Sequence, residues 1–378
     1  MRKFNFAINL LILIFLAACT PSADQPAQSE MPPTGTETAL PTGTPAPEPT
    51  PTPSKVDYYE FFEKPSPNSI RVLSYNINWD SIFPVGDPQS HDYRTFTKPN
   101  AFVRVIQAIQ PDIVCLQEIN PIRDPQQLSD ILNEAFEDEG DQNWQAMIAR
   151  DNVIATHFDL EVEGYEMGIN SVIPNLPQAA ALVNLPDEQY GPLDFYVFCA
   201  HFKASGTVSD ILMRSRQADV IMSHVRDITT PGENLDLPEG TPILILGDFN
   251  VYDTDPAEHL TTLLTGDLRN EDRFGADFAP DWDGTDLTDA LPSQNGLGED
   301  FNTWRDDQSP FENNILDRII YTDSALQVEN AFILNTMLLS EEGLALYGLH
   351  EEDVVLNAST GYYDHFPLVV DFVIVPTE

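Results

Sequence analysis

Apolar residues come along this chain in short, dense runs, and most of those runs stop on a polar side chain. Residues 70 to 78 read IRVLSYNIN, a β-rich run that ends in Asn76 and Asn78. Residues 98 to 111 change period: Phe102, Val105, Ile106 and Ile109 recur at helical spacing, and Pro111 stops them. PDIVCLQEIN then predicts a strand through Ile113, Val114, Cys115 and Leu116, ending in Gln117 and Glu118. FYVFCAHFKAS, residues 195 to 205, is another strand, delivering His201 and Lys203, and RSRQADVIMSHV from Arg214 predicts the helix after it. ILILGDFN, from residue 243, ends in Asp248 and Asn250. ILDRIIYT, residues 315 to 322, carries Asp317 early in a strand, and GYYDHFPLVVDF places Asp364 and His365 just before one that begins at Leu368.

Strands without polar alternation are covered on both faces. With helical segments between them, they predict an α/β (α+β) domain. Strand ends at one edge of a sheet form one surface, and loops on a rigid scaffold are where function concentrates. Taken singly, a Glu after a strand or an Asp-His pair is more often an ordinary loop feature. Their recurrence in this order predicts one polar site.

The chain does not start this way. MRKFNFAINLLILIFLAACT has a basic start, an apolar stretch from about Phe4 to Ala18 and a small-residue close. That is the grammar of an export signal, and the stretch falls short of the about 20 residues of a comfortable membrane span. LAAC looks like a bacterial lipobox with Cys19 as its lipid-modified residue, which predicts a protein anchored to a membrane rather than spanning it. A Pro/Thr-rich stretch follows that cannot bury enough apolar surface to order itself. The organisation predicted is a signal over 1–18, a disordered linker over 19–55 and a folded domain over 56–378. The protein is expected to be exported, lipid-anchored at a bacterial cell surface or outer membrane, and monomeric.

The formal net charge is −43. Such a surface repels nucleic acid and anionic lipid at long range, which counts against a processive nucleic-acid binder. Of three cysteines, Cys115 and Cys199 lie inside apolar runs, where two buried thiols and a disulfide are equally open readings, and no zinc-type spacing exists.

LSYNIN, PDIVCLQE, CAHFKAS, LILGDFN, LDRI and YDHFPL, in that order, resemble the endonuclease/exonuclease/phosphatase superfamily over about residues 70 to 374. The resemblance implies a four-layer αββα sandwich of two mixed β-sheets flanked by helices. It implies a divalent-metal-dependent phosphoesterase, with Mg2+ as cofactor and Mn2+ or Ca2+ as alternatives. Glu118, Asn76 and Asp364 match metal-site positions. His365 matches the site histidine, Asp317 the carboxylate that orients it, and Asp248 the group that manages the attacking water. Asn250 matches the donor to the phosphoryl group, and His201 a residue on the scissile phosphate or leaving oxygen. Tyr363 stands where Ser is frequent, and Asn78 where some nucleases carry Asp, which leaves a second metal position in doubt. Residues 254 to 307 read as an acidic insertion at the site rim, with calcium binding by DWDGTDLTD one option, and Trp304 is a candidate stacking face.

The substrate implied is a phosphoester: nucleic acid, nucleotide or phospholipid headgroup. An extracellular nuclease or nucleotide phosphodiesterase is the leading reading. A sphingomyelin-type phosphodiesterase, a sugar or inositol phosphatase, or a catalytically silent binding lipoprotein are the alternatives. An adhesion protein would need repeats or a second module, and the sequence has neither.

Overall fold

The computed structural model describes residues 59–84, 98–137, 143–161, 178–232, 236–252, 257–308, 310–355 and 364–375. The expected export signal and linker, with Cys19, and Tyr363 lie outside the described residues. The strands are β1 Ile70–Asn76, β2 Ile113–Gln117, β3 Gln145–Ala149, β4 Asn152–Thr156, β5 Asp159–Glu161, β6 Gln178–Asn184, β7 Phe195–His201, β8 Ile243–Asp248, β9 Thr288–Asp289, β10 Ser293–Gln294, β11 Trp304–Arg305, β12 Asp317–Tyr321, β13 Leu326–Ile333, β14 Asp364–His365 and β15 Leu368–Ile374. Seven form one mixed sheet in the order β10-β13-β15-β1-β2-β4-β3, six form a second in the order β5-β6-β7-β8-β12-β9, and β11 pairs with β14 alone.

The alternation inside a strand decides which layer each residue joins. In β7, Phe195, Val197 and Cys199 pack in the core shared with the seven-stranded sheet, beside Val114 and Leu116. Tyr196, Phe198 and Ala200, one position out of phase, pack with Ala218, Ile221 and Val225 of the helix Val208–Thr229. β8 splits the same way, Leu244 and Leu246 inward and Ile243 and Ile245 outward. Helices Pro99–Ile109 and Pro125–Ala135 contribute Phe102, Val105, Ile106, Leu128 and Leu132 to the core of the seven-stranded sheet. Each such side chain contributes roughly 1.5–3 kcal/mol on burial, so strands apolar on both faces hold sheet to sheet and sheet to helix at once. The four-layer arrangement that the sequence implied is the one observed.

Three local readings change. The helix after β7 begins at Val208, ahead of the apolar periodicity that starts near Arg214, because Thr207 and Asp210 form a capping box in a polar first turn. Residues 254 to 307 are not a simple rim insertion: β9 closes the six-stranded sheet, β10 the seven-stranded one, and β11 braces the pair Asp364–His365. In DWDGTD, the Asp281 carboxylate accepts from Ser324 and the Trp282 amide, and Asp283 from Thr285, so both carboxylates are used inside the fold.

Gly247 does not make a turn. It sits inside β8 at φ +139°, opposite Ala200, where a Cβ would lie 1.9 Å from the Ala200 carbonyl oxygen. Gly247→Ala is expected to destabilise the domain by about 2–4 kcal/mol, from clash and left-handed strain together. The urea midpoint should fall with an unchanged slope, and an unchanged midpoint would contradict this packing.

Candidate active site

Strand pairing gathers the polar ends. Parallel pairing sets Asn76 of β1 opposite Gln117 of β2, and Glu118 follows at φ +66°. Parallel pairing also sets His201 of β7 opposite Asp248 of β8, and the antiparallel strand β12 begins with Asp317 opposite the same Asp248. β14 presents Asp364 and His365 against Trp304 and Arg305. Glu118, Asn250 (φ +50°) and Asp364 (φ +153°) are all in backbone conformations that L-residues rarely adopt, and such strain gathers at functional sites.

All eight candidate residues belong to one network. The Asn76 amide bridges the two sheets, donating to Glu118 Oε1 at 3.2 Å and to Asp248 Oδ2 at 3.1 Å. Asp248 Oδ1 accepts from the Asn250 backbone amide at 2.9 Å. Asp248 Oδ2 faces two imidazoles, His365 Nε2 at 3.5 Å and His201 Nε2 at 3.6 Å. Each imidazole is held from behind by a carboxylate: His365 Nδ1 by Asp317 Oδ2 and His201 Nδ1 by Asp151 Oδ2, both at 2.8 Å. The result is a row, Asp151–His201···Asp248···His365–Asp317, whose centre is open by more than a hydrogen-bond length on both sides. The Asn250 side chain donates to the Phe202 carbonyl and accepts from Tyr252 Oη, which leaves one amide N–H for a ligand.

Burial and charge oppose each other here. Burial alone would lower the His201 pKa, but the Asp151 hydrogen bond and charge, with Asp248 and Glu118, outweigh it and raise it to about 9. For His365, burial is likewise outweighed, by Asp317 and Asp248, and the pKa rises well above its ordinary value. Burial raises the pKa of Glu118 and of Asp364 against the pull of nearby histidines. Glu118, Asp151, Asp248, Asp317 and Asp364 outnumber the two imidazoles, so the site lacks positive charge even with both protonated.

That deficit and the donor types fit a hard divalent cation. Glu118 offers both oxygens, Oε2 already oriented by the Trp79 backbone amide at 2.9 Å. Asp364 is aimed by the Asn78 side chain and by Trp304 Nε1 at 3.1 Å, and Asn76 Oδ1 by the Asn78 amide. Asp248, Asp317 and His365 also bring ligand atoms within 4.8 Å of one another. In that trio, however, Asp317 Oδ2 is committed to His365 Nδ1 and Thr303 Oγ1, and the hydrogen bonds describe an orienting relay. Glu118, Asp364 and Asn76 present a second set of oxygens at this edge, each oriented by a neighbouring N–H. Trp304 aligns a carboxylate through its indole N–H. Trp144 stacks on Phe136, and Trp282 donates to the Thr241 carbonyl; both are packing residues.

Several functional residues escaped the sequence. Asp151 lies in the ARDN turn between β3 and β4, whose only signal is a hairpin with its polar tip at the site edge. Asp80 ties the loop after β1 to the loop after β2, accepting from the Asn120 amide and pairing with buried Arg123. Gln217 and Arg214, from the long helix, hold the segment after His201 through its backbone. Asp151→Asn is expected to bring the His201 pKa down from about 9 towards its ordinary value, and histidine NMR titration of the metal-free protein reads this directly. Because the folded-state pKa is raised, the stability from this pair is full below about 6.5 and is lost as pH rises through about 9. The raised pKa values of Glu118 and Asp364 act in the same sense. The melting temperature in EDTA should therefore fall from pH 6.5 to 9, and a saturating divalent cation should remove most of that fall.

Residues 73–337 match the model of the Endonuclease/Exonuclease/phosphatase family. No curated protein sequence matches the chain. Similar solved structures include the human Nocturnin catalytic domain with bound sulfate anion, 18% identical, covering 82% of this chain and 95% of that one at a TM-score of 0.45. They also include humanized D. rerio TDP2 (16% identity, 81% and 99% coverage, TM-score 0.45) and an endonuclease/exonuclease/phosphatase from Bacteroides vulgatus (14%, 81% and 99%, 0.47).

Proposed function

The chain belongs to the endonuclease/exonuclease/phosphatase family, whose members are phosphoester hydrolases and generally depend on divalent metal, and from that premise we propose that it hydrolyses a phosphodiester with magnesium as its natural cation. Manganese and calcium are the substitutes to test. The observation that carries the reading is the row of two carboxylate-backed histidines meeting at Asp248, beside the carboxylates of Glu118 and Asp364, whose oxygens are oriented by neighbouring N–H donors.

Glu118, Asp364 and Asn76 would hold the cation. Bound there, it supplies positive charge against the phosphoryl oxygens as the ester bond breaks. The chain's own groups do the rest. Asp248, fixed through Oδ1 by the Asn250 amide, keeps Oδ2 facing the open centre, where it orients water and accepts its proton. His365, held by Asp317, directs Nε2 at the position of a phosphoryl oxygen and as imidazolium donates to it. His201, held by Asp151, directs its own Nε2 from the other side and returns a proton to the leaving oxygen. The free Asn250 N–H adds a neutral donor.

A net charge of −43 favours a small nucleotide diester or a neutral headgroup over long nucleic acid. A nucleotide phosphodiesterase or extracellular nuclease leads, with a sphingomyelin-type phosphodiesterase second and a sugar or inositol phosphatase third. The test is a panel of bis-p-nitrophenyl phosphate, p-nitrophenyl phosphate, plasmid DNA and sphingomyelin with Mg2+ or Mn2+. Preferential cleavage of the diesters supports the reading, and turnover of the monoester alone would replace it with a phosphatase. The proposal includes export and anchoring through Cys19 of a monomeric enzyme. Palmitate labelling that survives in Cys19→Ser would contradict that part.

A further inference from the structure

The site is assembled from both sheets. Asn76 and Glu118 follow from β1 and β2, and His201 and Asp248 stand at the ends of β7 and β8. Its working distances across the two sheets, Glu118 Oε1 to His201 Nε2 at 4.0 Å and Asn76 Nδ2 to Asp248 Oδ2 at 3.1 Å, depend on how far apart the sheets lie at this edge. Packed apolar side chains set that spacing elsewhere. Here the arrangement differs, because Cys115 of β2 and Cys199 of β7 form a disulfide, Cα–Cα 5.6 Å, across the intersheet core. It is the only covalent bridge between the sheets among the described residues, apart from the chain itself. Cys115 precedes Glu118 by three residues and Cys199 precedes His201 by two.

A further contact joins the bridge to the site. Gln117, fully buried, lies with its Nε2 2.8 Å from Cys115 Sγ and 3.5 Å from Cys199 Sγ. Gln117 is also the strand partner of Asn76 and the immediate neighbour of Glu118. The bridge therefore bears on the backbone that carries both of these candidate ligands.

We propose that the Cys115–Cys199 disulfide is a positioning element of the active site, setting the intersheet distance at which Glu118 and His201 cooperate, and that the chain gains full cation affinity only after oxidative folding. The cation-binding part rests on the function proposed above. Both cysteines are fully buried. A small or protein disulfide oxidant accepts two electrons and two protons from the two thiols and leaves as two thiols, while the Sγ–Sγ bond forms. The same burial protects the bond from reductant in the folded protein.

The test uses the full chain, denatured and refolded by one protocol with or without dithiothreitol, together with Cys115→Ala/Cys199→Ala. Thiols at these positions are counted after denaturation. Mn2+ affinity is measured by titration calorimetry, folding by circular dichroism and thermal melting, and kcat and KM separately on bis-p-nitrophenyl phosphate. The oxidised protein is expected to be folded and to bind Mn2+. The reduced and double-Ala forms are expected to fold with the same spectrum, to bind Mn2+ about tenfold more weakly and to lose kcat more than KM. Equal Mn2+ affinity and kcat in folded oxidised and reduced forms would overturn the assignment, as would two free thiols in the active enzyme. If both reduced forms fail to fold, the bridge is a staple for stability only and the positioning role is likewise overturned. If the oxidised protein itself binds no Mn2+, the proposed function fails and not the bridge alone.

Discussion

Asp248→Asn is expected to lower kcat on a phosphodiester by about 10³–10⁵-fold, with KM nearly unchanged and the fold intact. The carboxylate is buried, its Oδ1 accepts from the Asn250 amide and its Oδ2 from Asn76. Asparagine keeps the shape but loses the charge, and its amide would point two donors at groups that already donate. The substitution removes the proton acceptor at the open centre of the row. It also removes one of the charges that keep His365 and His201 protonated, so both pKa values should fall. Histidine NMR on the folded, metal-free variant separates this outcome from unfolding. A loss of less than about tenfold in kcat would move the proton-handling role to another group.

Glu118→Gln should have the second-largest effect and a different signature. Its two oxygens face the candidate cation position from a strained φ, held by the Asn76 amide and the Trp79 backbone. Cation affinity should weaken by about 100-fold, and activity at limiting Mn2+ should fall in proportion. Raising Mn2+ should recover part of it, which it should not do for Asp248→Asn. The site loses a negative charge, so the metal-free variant should also lose less stability than the parent between pH 6.5 and 9. Titration calorimetry and melting curves in EDTA give the two readings. An unchanged Mn2+ affinity would shift the cation to the cluster of Asp248, Asp317 and His365.

Much of this is legible in the sequence because of one rule of sheet chemistry. A strand buried on both faces is written as an uninterrupted apolar run, so the first polar residue after it marks the sheet edge. That rule placed His201 and Asp248, while at β2 the first polar residue, Gln117, is still a buried strand residue and Glu118 follows it; the pairing of β8 with β12 explains why Asp317 joins them from the start of a strand. What stayed hidden depends on contacts between segments far apart in sequence. Asp151 is an unremarkable turn residue until β4 brings it to His201. The disulfide needs β2 and β7 to face each other in one register, which no spacing within either strand encodes. Gly247 is required by the carbonyl of a neighbouring strand, not by a turn. The hydrogen bond from the Trp304 indole N–H to Asp364 joins β11 to β14, far apart in sequence.

The most direct test of the account measures bis-p-nitrophenyl phosphate hydrolysis by the domain with Mg2+ or Mn2+, then with EDTA, then with the cation restored. Asp248→Asn and His365→Ala are assayed beside it. The account predicts turnover that EDTA abolishes and the cation restores, and that neither folded variant supports. Undiminished turnover in EDTA, or in both variants, would contradict a cation-assisted phosphodiesterase centred on Asp248.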